Sequence, residues 1–167
     1  LISAGAPVAS AWFADRQIGP TLIAHGTPGQ QRRWLPGIRS GKARWCIAMS
    51  EPDAGSDVAS LRTAARRDGD TWRISGTKVW MSGAANAHWC YLVARTNPDA
   101  PPHRGLSEFV VDMASPGIEV GPITDATGND HFCEVRLNDV VVPGGALVGT
   151  EGESFRQIMG QMEHERG

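Results

Sequence analysis

The sequence predicts an α+β chain: a central β-barrel or sandwich flanked by helical segments. Three observations carry this. Apolar residues recur at helical spacing in the alanine-rich opening, up to about residue 44. Short segments rich in Val, Ile, Trp and Phe, divided by turn signals, fill residues 45–149. Helical spacing returns over residues 150–167.

The opening "VASAWFADRQIGPTLIAHG" reads as helix, interrupted at Gly19-Pro20. A second helix starts at Thr27, a good N-cap, with Pro28 at the first helical position and Gln30 completing a capping box. Leu35 precedes a proline, so this helix is expected to end near Trp34. Beyond Trp45, turn signals at Asp68-Gly69-Asp70, Ser75-Gly76, Asn97-Pro98, Pro116-Gly117 and Asn138-Asp139 separate the strands. "ARRDGDTWRI" reads as a hairpin with Asp-Gly at its tip. "NPDAPPHRG" is the longest loop, polar and exposed. In "ESFRQIMGQMEHER", Phe155, Ile158, Met159 and Met162 fall on one helical face.

The totals exclude several functions. With 167 residues and 41% hydrophobic content, the chain can form one ordinary core. A net charge of −2 gives no basic surface for nucleic acid. No apolar stretch approaches the roughly 20 residues of a membrane span, and no signal-peptide pattern appears. Cys46, Cys90 and Cys133 are odd in number and far apart, which suits buried free thiols in a reducing, cytoplasmic setting. No metal spacing joins the five histidines, and GxSxG, GxGxxG and Walker patterns are absent. The chain begins at Leu1 and stops at Gly167 within helix-like patterns, so a fragment is expected.

Three constellations remain. In "CIAMSEPDAGSDVASL", a strand from Cys46 to Met49 runs through Ser50 into Pro52, which stops pairing. Gly55 permits a tight or left-handed backbone, and Gly55-Ser56 can aim N–H groups and a hydroxyl at a phosphate or carbonyl oxygen. A plain surface turn explains the same residues. In "GTKVWMSGAANAHW", Trp80 and Ser82 share one face of an extended segment, suited to a flat heterocycle with polar edges. A core tryptophan beside an incidental serine is the alternative. In "MEHER", Arg166 falls under Phe155 at the centre of the apolar face and Glu165 at its edge. A desolvated carboxylate has a raised pKa and suits a proton-abstracting base. A buried ion pair, or fraying near the chain end, is the alternative.

Taken in order, these stretches resemble the acyl-CoA dehydrogenase family over nearly the whole chain. "GPTLIAHGTPGQQRRWLPGI" resembles the end of its N-terminal helical domain, and "CIAMSEPDAGSD" its first signature. "DGDTWRISGTKVWMSGAANAHW" resembles the next hairpin and the Trp-x-Ser/Thr signature. "GLSEFVVDMASPGIEV" and "NDVVVPGGALVGTEGESF" resemble the remaining strands and the entry to the C-terminal helical domain. Residues 1–44, 45–149 and 150–167 would then be the end of the first domain, the middle β domain and a truncated start of the third.

The resemblance implies FAD. Ile47 to Ser50, with Met49 between, would lie along the isoalloxazine, and Ser50 would hydrogen-bond it. Gly55 and Ser56 would approach the cofactor phosphates and the CoA channel. Trp80 would pack on the ring, and Ser82, where threonine is commoner, would reach flavin N5. The implied reaction removes a proton beside a thioester carbonyl and passes a hydride to flavin N5, leaving a trans α,β double bond, as in β-oxidation. In most members the base comes from the C-terminal domain, beyond this chain; in a minority it is the Glu before the Arg of this helix, here Glu165. Glu163 and Arg166 would lie near the acyl-CoA. Implied partners are an electron-transfer flavoprotein and further copies in a dimer or tetramer. The alternatives are an acyl-CoA oxidase or flavin monooxygenase, or a non-catalytic subunit. The fragment alone is expected to be inactive.

Overall fold

A computed structural model describes residues 11–166, with the side chains of residues 11–160. A π-helical turn, Phe13–Ile18, runs directly into α1 (Gly19–His25). The interruption expected at Gly19-Pro20 does not occur. Gly19 donates its N–H to Ala14, five residues back, so the turn before Pro20 is widened. Proline has no N–H to give and its ring needs room at that turn, and a π-turn meets both demands.

The capping box forms as expected at the start of α2 (Pro28–Arg39): Thr27 accepts from the Gln30 N–H, and the Gln30 side chain accepts from the Thr27 N–H. However, α2 does not stop near Trp34 but carries Pro36 inside it. Pro36 and Arg32, four residues earlier, are both exposed, so water can meet the carbonyl that Pro36 leaves without a donor.

Eight strands follow among the described residues: β1 (Trp45–Ala48), β2 (Ala64–Asp68), β3 (Thr71–Ser82), β4 (Trp89–Arg95), β5 (Leu106–Asp112), β6 (Ile118–Ile123), β7 (Phe132–Pro143) and β8 (Leu147–Val148). β2 and β3 form the expected hairpin, with Asp68 opposite Thr71. Gly69 opens the two-residue loop at φ 58, where a side chain would be strained. The hydrogen-bonded order is β6-β7-β3-β2-β4-β5-β8, and β1 lies parallel on β4.

The sheet is not a closed barrel, because no pairing joins β6 to β8 among the described residues. β2 and β4 meet at one residue pair, Ala64 and Arg95, so the sheet folds there. The Trp72 ring on β3 packs edge-on against Phe109 on β5 at 5.4 Å, although two strands separate them in the order. The sandwich half of the expectation holds and the barrel half does not. The core between the halves includes Cys46, Ile74, Leu92 and Val140, and all three thiols are buried and free.

The helices cover the other side of β1 and β4. Trp34 of α2 and Trp45 of β1 each lie 6.1 Å from the Trp89 ring, beside Ile18 and Leu22. Gln30 also docks α2, donating its amide to the carbonyls of Gly145 and Leu147 at 2.9 and 2.7 Å. α3 (Ser154–Arg166) packs through Ile158 against Leu61, Val93 and Leu106. Its inward residues are Ser154, Gln157 and Ile158, whereas Met159 is 53% exposed, so the expected apolar face is turned. Gln157 points inward because its amide donates to the Glu108 carboxylate, a partner on β5 that periodicity within α3 cannot reveal. Among the described residues, no helix is long and apolar enough to cross a membrane.

Candidate functional site

The site starts where β1 ends. Cys46 and Ala48 point into the core between the sheet halves, while Trp45 and Ile47 join the cluster under the helices. Half-buried Met49 packs beside Leu61 and Ala54. Pro52 then ends pairing, and Glu51 and Ala54 exchange backbone hydrogen bonds at 2.8 and 3.2 Å across a tight turn. The turn carries Gly55 and Ser56 into solvent.

Gly55 corrects one expectation. It does not adopt positive φ, so no left-handed backbone requires it. A Cβ built there would meet nothing within 4 Å, so packing within the described chain does not require glycine either. What remains is room for close approach from outside.

β3 supplies the second arm. Trp72, Ile74 and Lys78 are buried, so even-numbered residues face inward. Strict alternation would bury Trp80 as well. Instead β3 advances three residues from Lys78 to Met81 while β7 advances two, from Val135 to Cys133, which makes a bulge. Trp80 takes φ 61, Met81 turns inward, and the Trp80 indole stands 61% exposed. A bulky residue in the left-handed region is a rare outlier, and such strain gathers at functional sites. Trp80 and Ser82 do flank one outward face, but the bulge creates it, not the period-two rule. The Phe132 ring braces Trp80 edge-on at 6.1 Å.

The two arms are tied. The Val79 N–H donates to the Ser50 carbonyl at 3.0 Å, which sets Ser50 beside the bulge. Behind them lies an ion pair that the sequence reading missed. Lys78 Nζ donates to Glu51 Oε1 and to the Met49 carbonyl, each at 2.9 Å. Glu51 also accepts the N–H groups of Arg62 and Thr63 at 2.7 and 2.8 Å. The lysine side chain is 0% exposed and the glutamate 8%. Burial pushes the Glu51 carboxyl up, but the Lys78 ammonium and the bonds from Thr63 and Arg62 outweigh it and hold it below the usual range. Burial pulls the Lys78 ammonium down, and Glu51 opposes this only in part. One signal was available: Lys78 sits at an inward position of the β3 alternation, where an apolar residue belongs.

The structure thus brings Met49, Ser50, Trp80 and Ser82 together, with Gly55 and Ser56 on the adjoining turn, while Ile47 faces the helices. The hydroxyls of Ser50, Ser56 and Ser82 have no hydrogen-bond partner among the described residues. An exposed flat aromatic, three free hydroxyls and an open glycine fit a flat heterocycle with a phosphate tail, so the residues present suit FAD. Glu163, Glu165 and Arg166 lie outside the described side chains.

The family model for the acyl-CoA dehydrogenase middle domain matches residues 46–140. Over 155 residues the chain is 45% identical to the acyl-CoA dehydrogenase IpdE1 of Mycobacterium tuberculosis, covering 93% of this chain and 40% of that protein. Among solved structures, the Tcur3481-Tcur3483 steroid ACAD superposes with a TM-score of 0.90 at 38% identity, covering 93% of this chain and 40% of that one. For the ChsE4-ChsE5 complex from Mycobacterium tuberculosis the values are 0.89 and 37%, over 98% of this chain and 42% of that one. The chain spans about two-fifths of the length of these relatives. A family match over more than half of its residues, on the same strands that carry the tied loop and bulge, means that this chain belongs to the acyl-CoA dehydrogenase family.

Proposed function

We propose that this chain supplies the β-domain face of the FAD site in an enzyme that introduces a trans α,β double bond into an acyl-CoA thioester. The carrying observation is Trp80, turned outward by the bulge beside hydroxyls that have no partner among the described residues. Met49, Ser50, Trp80 and Ser82 hold the ring system and orient it, with Ile47 behind them on β1. Gly55 and Ser56 receive the phosphates and the CoA. When bound, FAD supplies the hydride acceptor.

The base we assign is Glu165, seven residues and two helical turns beyond the inward Ile158 on α3. Glu163 and Arg166 belong to the substrate side. Residues 1–44, 45–149 and 150–167 are then the end of a helical domain, a β domain and the start of a second helical domain. The likeness to a steroid ACAD supports a bulky, steroid-derived acyl group. The likeness to a two-protein complex supports assembly with a second chain of the same family or a further copy. Electrons pass to an electron-transfer flavoprotein, and the setting is cytoplasmic.

The test is anaerobic addition of an acyl-CoA to the complete, FAD-loaded protein. Bleaching of the flavin absorption, with slow recovery in air, supports the reading. Rapid recovery in air would replace it with an acyl-CoA oxidase or monooxygenase. A complete protein without flavin would make it a non-catalytic subunit.

A further inference from the structure

We propose that Glu51 and Lys78 are positioning residues of this site: their buried pair fixes the hydroxyl-bearing turn, Ser50 to Ser56, against the bulge that presents Trp80 and Ser82. This rests on the FAD reading above and goes beyond it, since neither side chain reaches the outward face.

Connectivity carries the argument. The Lys78 ammonium and Glu51 carboxylate bond to three backbone groups and to each other within 2.9 Å, and these four bonds join three segments. Met49 ends β1, Glu51 opens the turn, Arg62 and Thr63 lead into β2, and Lys78 stands two residues before Trp80 on β3. Three stretches distant in sequence therefore meet at one buried point directly behind the presented surface. The backbone adds a tie between turn and bulge, the bond from Val79 to Ser50.

A purely stabilising role suits the pair poorly. Desolvating two charges offsets most of their attraction, and apolar replacements of buried pairs are often neutral or better. What an apolar pair cannot supply is direction. The carboxylate accepts from two N–H groups and the ammonium donates to one carbonyl, so sliding either arm breaks a charged hydrogen bond inside the protein. Such a joint holds the distance between the Ser50 hydroxyl and the Trp80 indole, and binding a rigid ring system depends on that distance.

The test compares the wild-type complete protein with Lys78→Met and with the double variant Glu51→Gln/Lys78→Met. The readouts are the thermal midpoint of the apoprotein, the FAD dissociation constant and the absorption spectrum of bound flavin. Lys78→Met leaves a buried carboxylate unpaired and lowers the midpoint, and the double variant recovers most of it. The double variant is expected to bind FAD at least about tenfold more weakly, with a spectrum closer to that of free FAD. Wild-type affinity and spectrum in a folded double variant would overturn the proposal. So would loss of cooperative unfolding in the double variant, which would make the pair a folding determinant. A wild-type protein that binds no FAD would instead sink the functional reading itself, so the two failures are distinct.

Discussion

The amide of Val79 donates to the carbonyl of Ser50 at 3.0 Å, and through this bond the exit of β1 lies beside the bulge of β3. Residues 29 positions apart in the chain thereby share one surface. Half-buried Ser50 thus stands beside the bulge that exposes the Trp80 indole.

The strain at Trp80 separates binding from stability. Its φ of 61 costs an L-residue about 1–2 kcal/mol, which glycine avoids. Trp80→Gly loses the edge contact with Phe132, worth about 1 kcal/mol, and gains backbone entropy on unfolding. Thermal denaturation of the apoprotein should therefore place Trp80→Gly within about 1 kcal/mol of wild type. FAD affinity should fall in the same variant. A large loss of stability would show that the indole is held by packing, not presented.

Glu51 predicts an acid limb. Its folded pKa is lowered, so its contribution to stability is present above the unfolded value of about 4.3 and is lost as pH falls through the folded value. Lys78 is also lowered. Its burial penalty applies wherever it stays protonated and eases only as pH rises toward the usual lysine range, so it leaves the acid limb to Glu51. Urea denaturation of wild type and Glu51→Gln should show a clear stability gap at pH 7 that narrows as pH drops below about 4. A gap independent of pH would contradict the ion pair.

Gln30 tests how α2 is attached. Glutamate at this third helical position keeps the capping box and favours the helix N-terminus. It cannot donate to the Gly145 and Leu147 carbonyls, however, and would set a carboxylate against both. Gln30→Glu should therefore destabilise the protein by about 3 kcal/mol in chemical denaturation. A neutral or stabilising effect would mean that the helix needs no such docking.

Local chemistry was legible where it is decided locally. The Thr27 box, the Gly69 turn and the strand-to-turn change at Pro52 all rest on neighbours within a few residues. Features set by distant partners were not. The outward turn of Trp80 depends on how β3 registers with β7, and the inward turn of Gln157 on Glu108. The prolines at 20 and 36 misled because a widened turn and an exposed carbonyl accommodate them without breaking a helix. Lys78 shows the converse: its place in the alternation was visible, but its partner lies 27 residues away.

The central claim is that the bulge presents Trp80 to a flavin. Fluorescence emission of FAD bound to the complete protein tests it most directly, because an indole stacked on the isoalloxazine quenches that emission. At saturating FAD, the wild-type protein should show strongly quenched flavin emission, and Trp80→Leu should recover several-fold more of it while still holding the cofactor. Equal quenching in the two proteins would contradict the claim and remove Trp80 from the flavin face.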